Sequence, residues 1–174
     1  MNFTALLENY DGLSALLALL GVIALIKVGK FLAFKVPALA RMKKINREED
    51  KKKLAQAKYR PMIKSSRNVG LACNLTFFIV VLPFCITMAS TPAWKILLDV
   101  VIILMFYDFF YYCAHRFWFH GNGPMRKIHA VHHQARSPTF VDALYVHPFE
   151  TFIGLALYIV SIALLAALMG PFHV

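Results

Sequence analysis

The sequence has little of what a soluble enzyme relies on. Only 16% of its 174 residues are charged and only nine of those are acidic, whereas a soluble domain carries about 25% charged residues. Cysteine is scarce: Cys73, Cys85 and Cys113 form no CxxC pair and sit in apolar stretches. That excludes a disulfide framework or a thiolate-built zinc site, and the bland reading is three buried reduced thiols. There is no HExxH, so a zincin protease is not expected. No glycine-rich phosphate loop, dinucleotide fingerprint, internal repeat or low-complexity tract is present. The N-terminus lacks a basic stretch ahead of its apolar run and does not read as a cleaved signal peptide.

What the sequence does have is apolar length. The hydrophobic fraction is 59% and the mean hydropathy is +0.59, a membrane composition. A bilayer core of about 30 Å takes about 20 apolar residues in a helix. Four stretches qualify, at 13–34, 69–88, 94–113 and 151–169, with Pro83 a tolerable kink in the second. The expected fold is therefore all-α and polytopic, a single membrane domain over 1–174.

Charge orients the spans. The net charge is +10, and 14 Lys/Arg against three acids fall between Lys27 and Arg67, a local +11 that leaves about −1 elsewhere. By the positive-inside rule the basic loop 35–68 is cytoplasmic, and the N-terminus, with Glu8 and Asp11, faces outward. The turn Ser90–Trp94 is then outer, and the segment His115–Glu150, with Arg116, Arg126, Lys127 and Arg136, is cytoplasmic. The basic loop suits an anionic leaflet. It reads as a solvated surface helix in which Glu48 and Glu49 support Lys52 and Lys53 at i+4. No nucleic-acid reading motif accompanies the charge, so no nucleic acid is expected as a partner.

Six of the seven histidines fall between 115 and 147. His129, His132 and His133 follow the turn Gly121-Asn-Gly, with Pro124 suited to a first helical position. On a continuous α-helix they share an arc of about 100°. A structural histidine needs no companions on its face, but metal ligation does, because each neutral imidazole donates one nitrogen. His115 and His120 are five apart and diverge by about 140° on an ideal helix, which suits the flanks of a broad site or two metals. Asp108 lies about 20° from His115 in projection. A carboxylate there is the expected partner for the second N–H of a ligating imidazole. His147 precedes Pro148 and Glu150, where an acid complements the helix dipole, and it joins the candidate ligands. His173 lies roughly 30 Å away beyond the fourth span and reads as a non-ligand.

An all-nitrogen set suits zinc, copper, nickel or iron. Six histidines exceed the needs of one tetrahedral zinc, which argues for two metals. A metal pair beside a bilayer suits dioxygen activation, with the substrate arriving laterally from lipid.

The run DFFYYCAHRFWFH…IHAVHHQARSPTFVDALYVHPFETFIG, Asp108 to Gly154, resembles the fatty acid hydroxylase / sterol desaturase superfamily of membrane di-iron oxygenases. The resemblance is carried by an HRxxxH box with its Asp-aromatic lead-in, an HxxHH box and an HPxE box, in that order between apolar spans. It implies a helical membrane fold with a cytoplasmic histidine-rich metal-binding cap. It also implies two iron ions, dioxygen, a lipid substrate and an external electron donor, either a reductase or a small redox carrier. The reaction would be hydroxylation or desaturation of a sterol or fatty acyl type lipid, in a bacterial inner membrane or the endoplasmic reticulum. By motif His115, His120, His129, His132 and His133 occupy ligand positions, and His147 matches the HPxE histidine.

The pattern departs from the family in one respect. The family continues to a further HxxHH box, and this sequence has none before Val174. Two irons held mainly by imidazoles need about eight nitrogens or more, against six candidates here. The expectation is a fragment or truncated form, with ligands from a second chain as another possibility. A non-catalytic metal-binding subunit or pseudoenzyme, and a zinc-dependent membrane enzyme, are the competing classes.

Overall fold

The computed structural model describes residues 9–135 and 137–173. Glu8, Arg136 and Val174, which entered the reading of topology and chain end, lie outside them. Among the described residues four helices are long and apolar enough to cross a membrane: Gly12–Ala33, Tyr59–Cys85, Ala93–Phe119 and Pro148–Met169. The fold is all-α and polytopic, as the apolar runs require.

Helix α1 (Gly12–Ala33) is capped by Asp11, whose side chain accepts from the Ser14 N–H at 2.9 Å. After a tight turn comes α2 (Pro37–Leu54), with Pro37 at its first position and no buried residue. The second span starts ten residues earlier than hydropathy suggests, as α3 (Tyr59–Thr76). It continues through a π-helical turn, Phe77–Val81, into α4 (Leu82–Cys85). Pro83 has no N–H to donate, and the helix ends two residues beyond it. The chain then extends as β1 (Ile86–Thr87), which pairs in parallel with β2 (Phe172–His173).

Helix α5 (Ala93–Cys113) runs on into a second π-helical turn, Ala114–Phe119. Short elements follow: α6 (Met125–His129), a 3₁₀ turn His132–Gln134, and α7 (Phe140–Leu144). Last is α8 (Pro148–Met169), which packs against α3 and α5. Gly170 ends it at φ 95°, a left-handed conformation open to glycine at no steric cost.

Two clusters divide the interior. One gathers Phe77, Leu82, Cys85, Ile86, Ile162, Leu165, Ala166 and Phe172 where α8 ends. The other, smaller, joins Tyr59, Val141 and Tyr145 where α8 begins. The three cysteines are free, Cys85 buried and the other two half-buried.

The basic segment has a partner within the chain. Lys52 pairs with Glu49 at 2.5 Å, at i+3 rather than i+4. Lys53 leaves the helix surface altogether to pair with Asp142 and to donate to the Ser137 carbonyl at 2.5 Å. Asp142 is buried, accepts from Tyr59 Oη–H at 2.9 Å, and closes a capping box with Thr139. Lys53 and the hydrogen bonds from Thr139 and Tyr59 hold its carboxyl below the usual range against the effect of burial. Asp50 adds a bond, accepting from the Val141 N–H at 3.1 Å. A helix read as solvated thus clamps residues 137–142, just downstream of the histidines.

Candidate metal centre

The HRxxxH box lies on the π-helical turn that continues α5. Its widened backbone bonding runs i→i+5, with His120 N–H donating to His115 C=O at 3.0 Å. Residues five apart, which diverge on an α-helix, here lie over one another. The Nε2 atoms of His115 and His120 are 3.1 Å apart. The expected divergence is therefore corrected: both imidazoles face the same point, because the local helix is π and not α. Single π turns of this kind recur at functional sites.

Gly121 makes that turn possible. A Cβ on it would lie 2.2 Å from the Phe117 carbonyl oxygen, a backbone atom that cannot swing aside. In the sequence Gly121 is only a loop residue; the close approach is a tertiary fact with no signal beyond the glycine itself.

The HxxHH box is also not the continuous helix expected. The α-helical stretch ends at His129, Ala130 and Val131 turn, and His132–Gln134 form a tighter 3₁₀ turn. The three rings nevertheless converge, with centroids 5.8 Å (His129–His132), 4.5 Å (His129–His133) and 5.5 Å (His132–His133) apart. The Nε2 atoms of His129 and His133 are 2.8 Å apart. His120 connects the two boxes, its ring 4.8 Å from that of His129 and 5.5 Å from that of His133.

His129 is the centre of the group and is 2% exposed. Phe119 packs on it at 5.4 Å between centroids. Its Nδ1–H donates to Glu150 Oε1 at 2.8 Å, which fixes the tautomer and leaves Nε2 with a free lone pair toward the other rings. Burial, then the neighbouring imidazoles of His133, His120 and His132, push its pKa down to about 4. It is neutral at physiological pH, the form that ligates.

The carboxylate that orients an imidazole is thus Glu150, not Asp108. Asp108 is exposed on α5, and His115 Nδ1 has no hydrogen-bond partner among the described residues, so the expected Asp108–His115 bond is not formed. Glu150 is legible in the sequence only as an acid complementing a helix start; its reach to His129, 21 residues away, needs the fold. His147 serves as the N-cap of α8, its Nδ1 accepting from the Phe149 N–H at 3.2 Å. That leaves Nε2 as its one nitrogen for another partner. His173 is far off, its Nδ1 3.0 Å from Lys95 Nζ.

The donor set fits a metal. One ligand atom from each of His115, His120 and His129 lies within 4.8 Å of the others. Two nitrogens on one ion, at bonds of about 2.1 Å, lie at most about 4.2 Å apart, so a small contraction suffices. Paired Nε2 atoms compete for one proton, whereas a cation satisfies both lone pairs. His115 Nδ1 and Glu150 Oε2 are buried without hydrogen-bond partners among the described residues, and such polar atoms are costly unless something meets them. Beside the rings a cleft of about 290 Å³ opens between α5 and α8, lined by Tyr107, Tyr111, His115, His132, Glu150 and Leu155 among others.

Comparison with known proteins agrees with the boxes. Residues 100–174 match the fatty acid hydroxylase family. A stretch of 58 residues, 33% of this chain, is 43% identical to a Dictyostelium discoideum protein named "Putative methylsterol monooxygenase". The matched stretch covers 21% of that protein, about a fifth of its length. No solved structure matches. The segment 100–174, which holds all six clustered histidines, is thus similar to the fatty acid hydroxylase family.

Proposed function

We propose that this integral membrane chain carries the histidine centre of a dioxygen-dependent lipid hydroxylase or desaturase that works with two iron ions. The observation that supports it most is the convergence of His115, His120, His129 and His133 through their Nε2 atoms at the end of a span. His132 and His147 complete the candidate ligand set. When bound, iron would supply the two-electron activation of dioxygen that C–H hydroxylation or desaturation requires.

The residues present do the rest. Glu150 holds His129 in the ligating tautomer. Phe119, itself buried, packs against the rings of His129 and His115 and keeps water from them. The cleft between α5 and α8 gives a lipid chain lateral access, with Tyr107 and Tyr111 on one wall and Gly154 and Leu155 on the other. For hydroxylation, one oxygen atom enters the C–H bond and the other leaves as water, with two electrons and two protons from an external reductase or small redox carrier. The histidine segment is proposed to face the cytoplasm, where that donor is available, a side that the basic residues support by the positive-inside rule. The substrate is proposed to be a sterol or fatty acyl lipid.

Metal counting on purified chain in detergent tests this reading. Bound iron, lost in His132→Ala and retained in His173→Ala, is the expected result, and a full two per chain would show that these six histidines suffice. Zinc alone, or no bound metal, would favour a non-catalytic subunit and sink the oxygenase reading. Equal loss in both variants would refute the separation of His173 from the site.

A further inference from the structure

The proposed chemistry leaves the amphipathic pattern of α2 without a use. At about 100° per residue, its Arg41, Lys43, Lys44, Arg47, Lys51 and Lys52 spread over one half of the helix surface. Leu39, Met42 and Ile45 fall on the other half. These three are 39%, 57% and 55% exposed, an apolar stripe that nothing among the described residues covers. The helix carries seven Lys/Arg against three acids, and one of those acids, Asp50, is turned inward to the Val141 N–H. The stripe begins only a turn beyond the end of α1, a span. Lys43 there sits 4.0 Å over the Phe34 ring and Lys35 4.8 Å over Phe31, so cations already border the apolar edge.

We infer that α2 lies in the membrane interface, with Leu39, Met42 and Ile45 among the acyl chains and its cations on anionic phospholipid headgroups, and that it thereby anchors the histidine segment to the bilayer surface. Cations flanking an exposed apolar stripe on a helix are the signature of interfacial binding. Two observations choose lipid as the occupant. The cations are matched by anionic headgroups, and the stripe emerges directly from a spanning helix, at the depth where acyl chains begin. The anchoring follows from the last turn of α2. Lys53 pairs with Asp142 and bonds to the Ser137 carbonyl, and Asp50 holds Val141, so the helix and the segment after His133 are fixed to each other.

Photocrosslinking of the full chain in vesicles tests the inference without reference to metal or activity. A failure here would therefore leave the oxygenase reading standing, and the reverse. Ile45 is replaced by p-benzoylphenylalanine and the protein is reconstituted in phosphatidylcholine with or without phosphatidylserine. Each engaged cation is worth about 1 kcal/mol near an anionic surface, or roughly fivefold in occupancy. Lipid adducts should accordingly rise at least about fivefold with phosphatidylserine and fall back in high salt. The triple change Lys43→Gln, Lys44→Gln, Arg47→Gln should abolish the rise. The label at Leu39 should repeat the result, which guards against a misfolded Ile45 variant. Adducts independent of phosphatidylserine, absent from both vesicles, or formed with an acidic protein in native membranes in place of lipid would each overturn it.

Discussion

The two ends of the α5–α8 pair are built from opposite materials. Where α8 ends, Cys85, Ile86, Ile162, Leu165, Ala166 and Phe172 pack into an apolar cluster and two short strands close it with backbone bonds. Where α8 begins, the buried polar groups include His129, Asp142 and Glu150, at 2%, 4% and 6% exposure. The first end is held by dispersion and close packing, which tolerate substitution gradually. The second is held by directional bonds, each dependent on a partner, and it retains orphaned atoms at His115 and Glu150. The apolar end has its own exception in Asp99 Oδ2, buried without a hydrogen bond and 4.0 Å from Lys95. Buried polar groups in a membrane protein cost stability unless they serve a site. The contrast therefore supports the proposed site at the start of α8, with scaffold at its end.

The sharpest way to break the contrast is at Gly121. In Gly121→Ala the new Cβ would meet the Phe117 carbonyl at 2.2 Å, so the π turn must open and His115 and His120 part. The expected loss is about 3 kcal/mol of stability, at the upper end for single substitutions, together with nearly all bound metal. Metal analysis and thermal unfolding in detergent check it; unchanged metal content would show that the turn is not needed for the site. Leu165→Ala does the reverse. A buried leucine truncated in the apolar cluster should cost about 2–4 kcal/mol and leave metal content unchanged. Should metal fall along with Tm, the two ends are not separable.

The two ends are unequally legible in the sequence. The spans are visible because a small soluble core cannot bury four apolar runs of spanning length, and Tyr59–Cys85 escapes full length only because its first turns are polar. His129, His132 and His133 are visible as a group because close spacing brings rings together on an α-helix and a 3₁₀ turn alike. The HRxxxH geometry is not, since nothing in periodicity distinguishes a π turn from an α turn, and the ideal-helix angle points the wrong way. Lys53 looks like an i+4 partner for Glu49 because local pairs are the ones a sequence displays. Its distant partner, Asp142, is 89 residues away. The bond from His129 to Glu150, 21 residues away, is hidden for the same reason.

Glu150 offers the next test, smaller in size. Removing a carboxylate that orients a ligating imidazole costs about 10–100-fold in metal affinity. Glu150→Leu should show that loss, and Glu150→Gln should recover most of it, because the amide oxygen still accepts from His129 Nδ1–H. Competition titration with a chelator measures both. If the two variants lose affinity equally, Glu150 acts by its charge and not as the acceptor that fixes the tautomer.

The smallest effect expected is one of pH, and it too separates the ends. His129 titrates near 4 in the folded chain against 6.5 for a free histidine. A histidine with a depressed folded pKa contributes stability that is fully present above the unfolded value and is lost as pH falls toward the folded one. Between about pH 7.5 and pH 5.5 the unfolded imidazole takes up a proton that the folded one refuses. By linkage this costs about 1.4 kcal/mol, or roughly 3–5 °C in Tm for a chain of this size. Metal-free protein in detergent should show that decline, and His129→Gln should flatten it while Leu165→Ala leaves its slope intact. A slope unaffected by His129→Gln would mean that the burial of this imidazole does not set the acid sensitivity of the histidine end. The protons would then have to be sought on its neighbours, first on His115, which is packed among the same imidazoles.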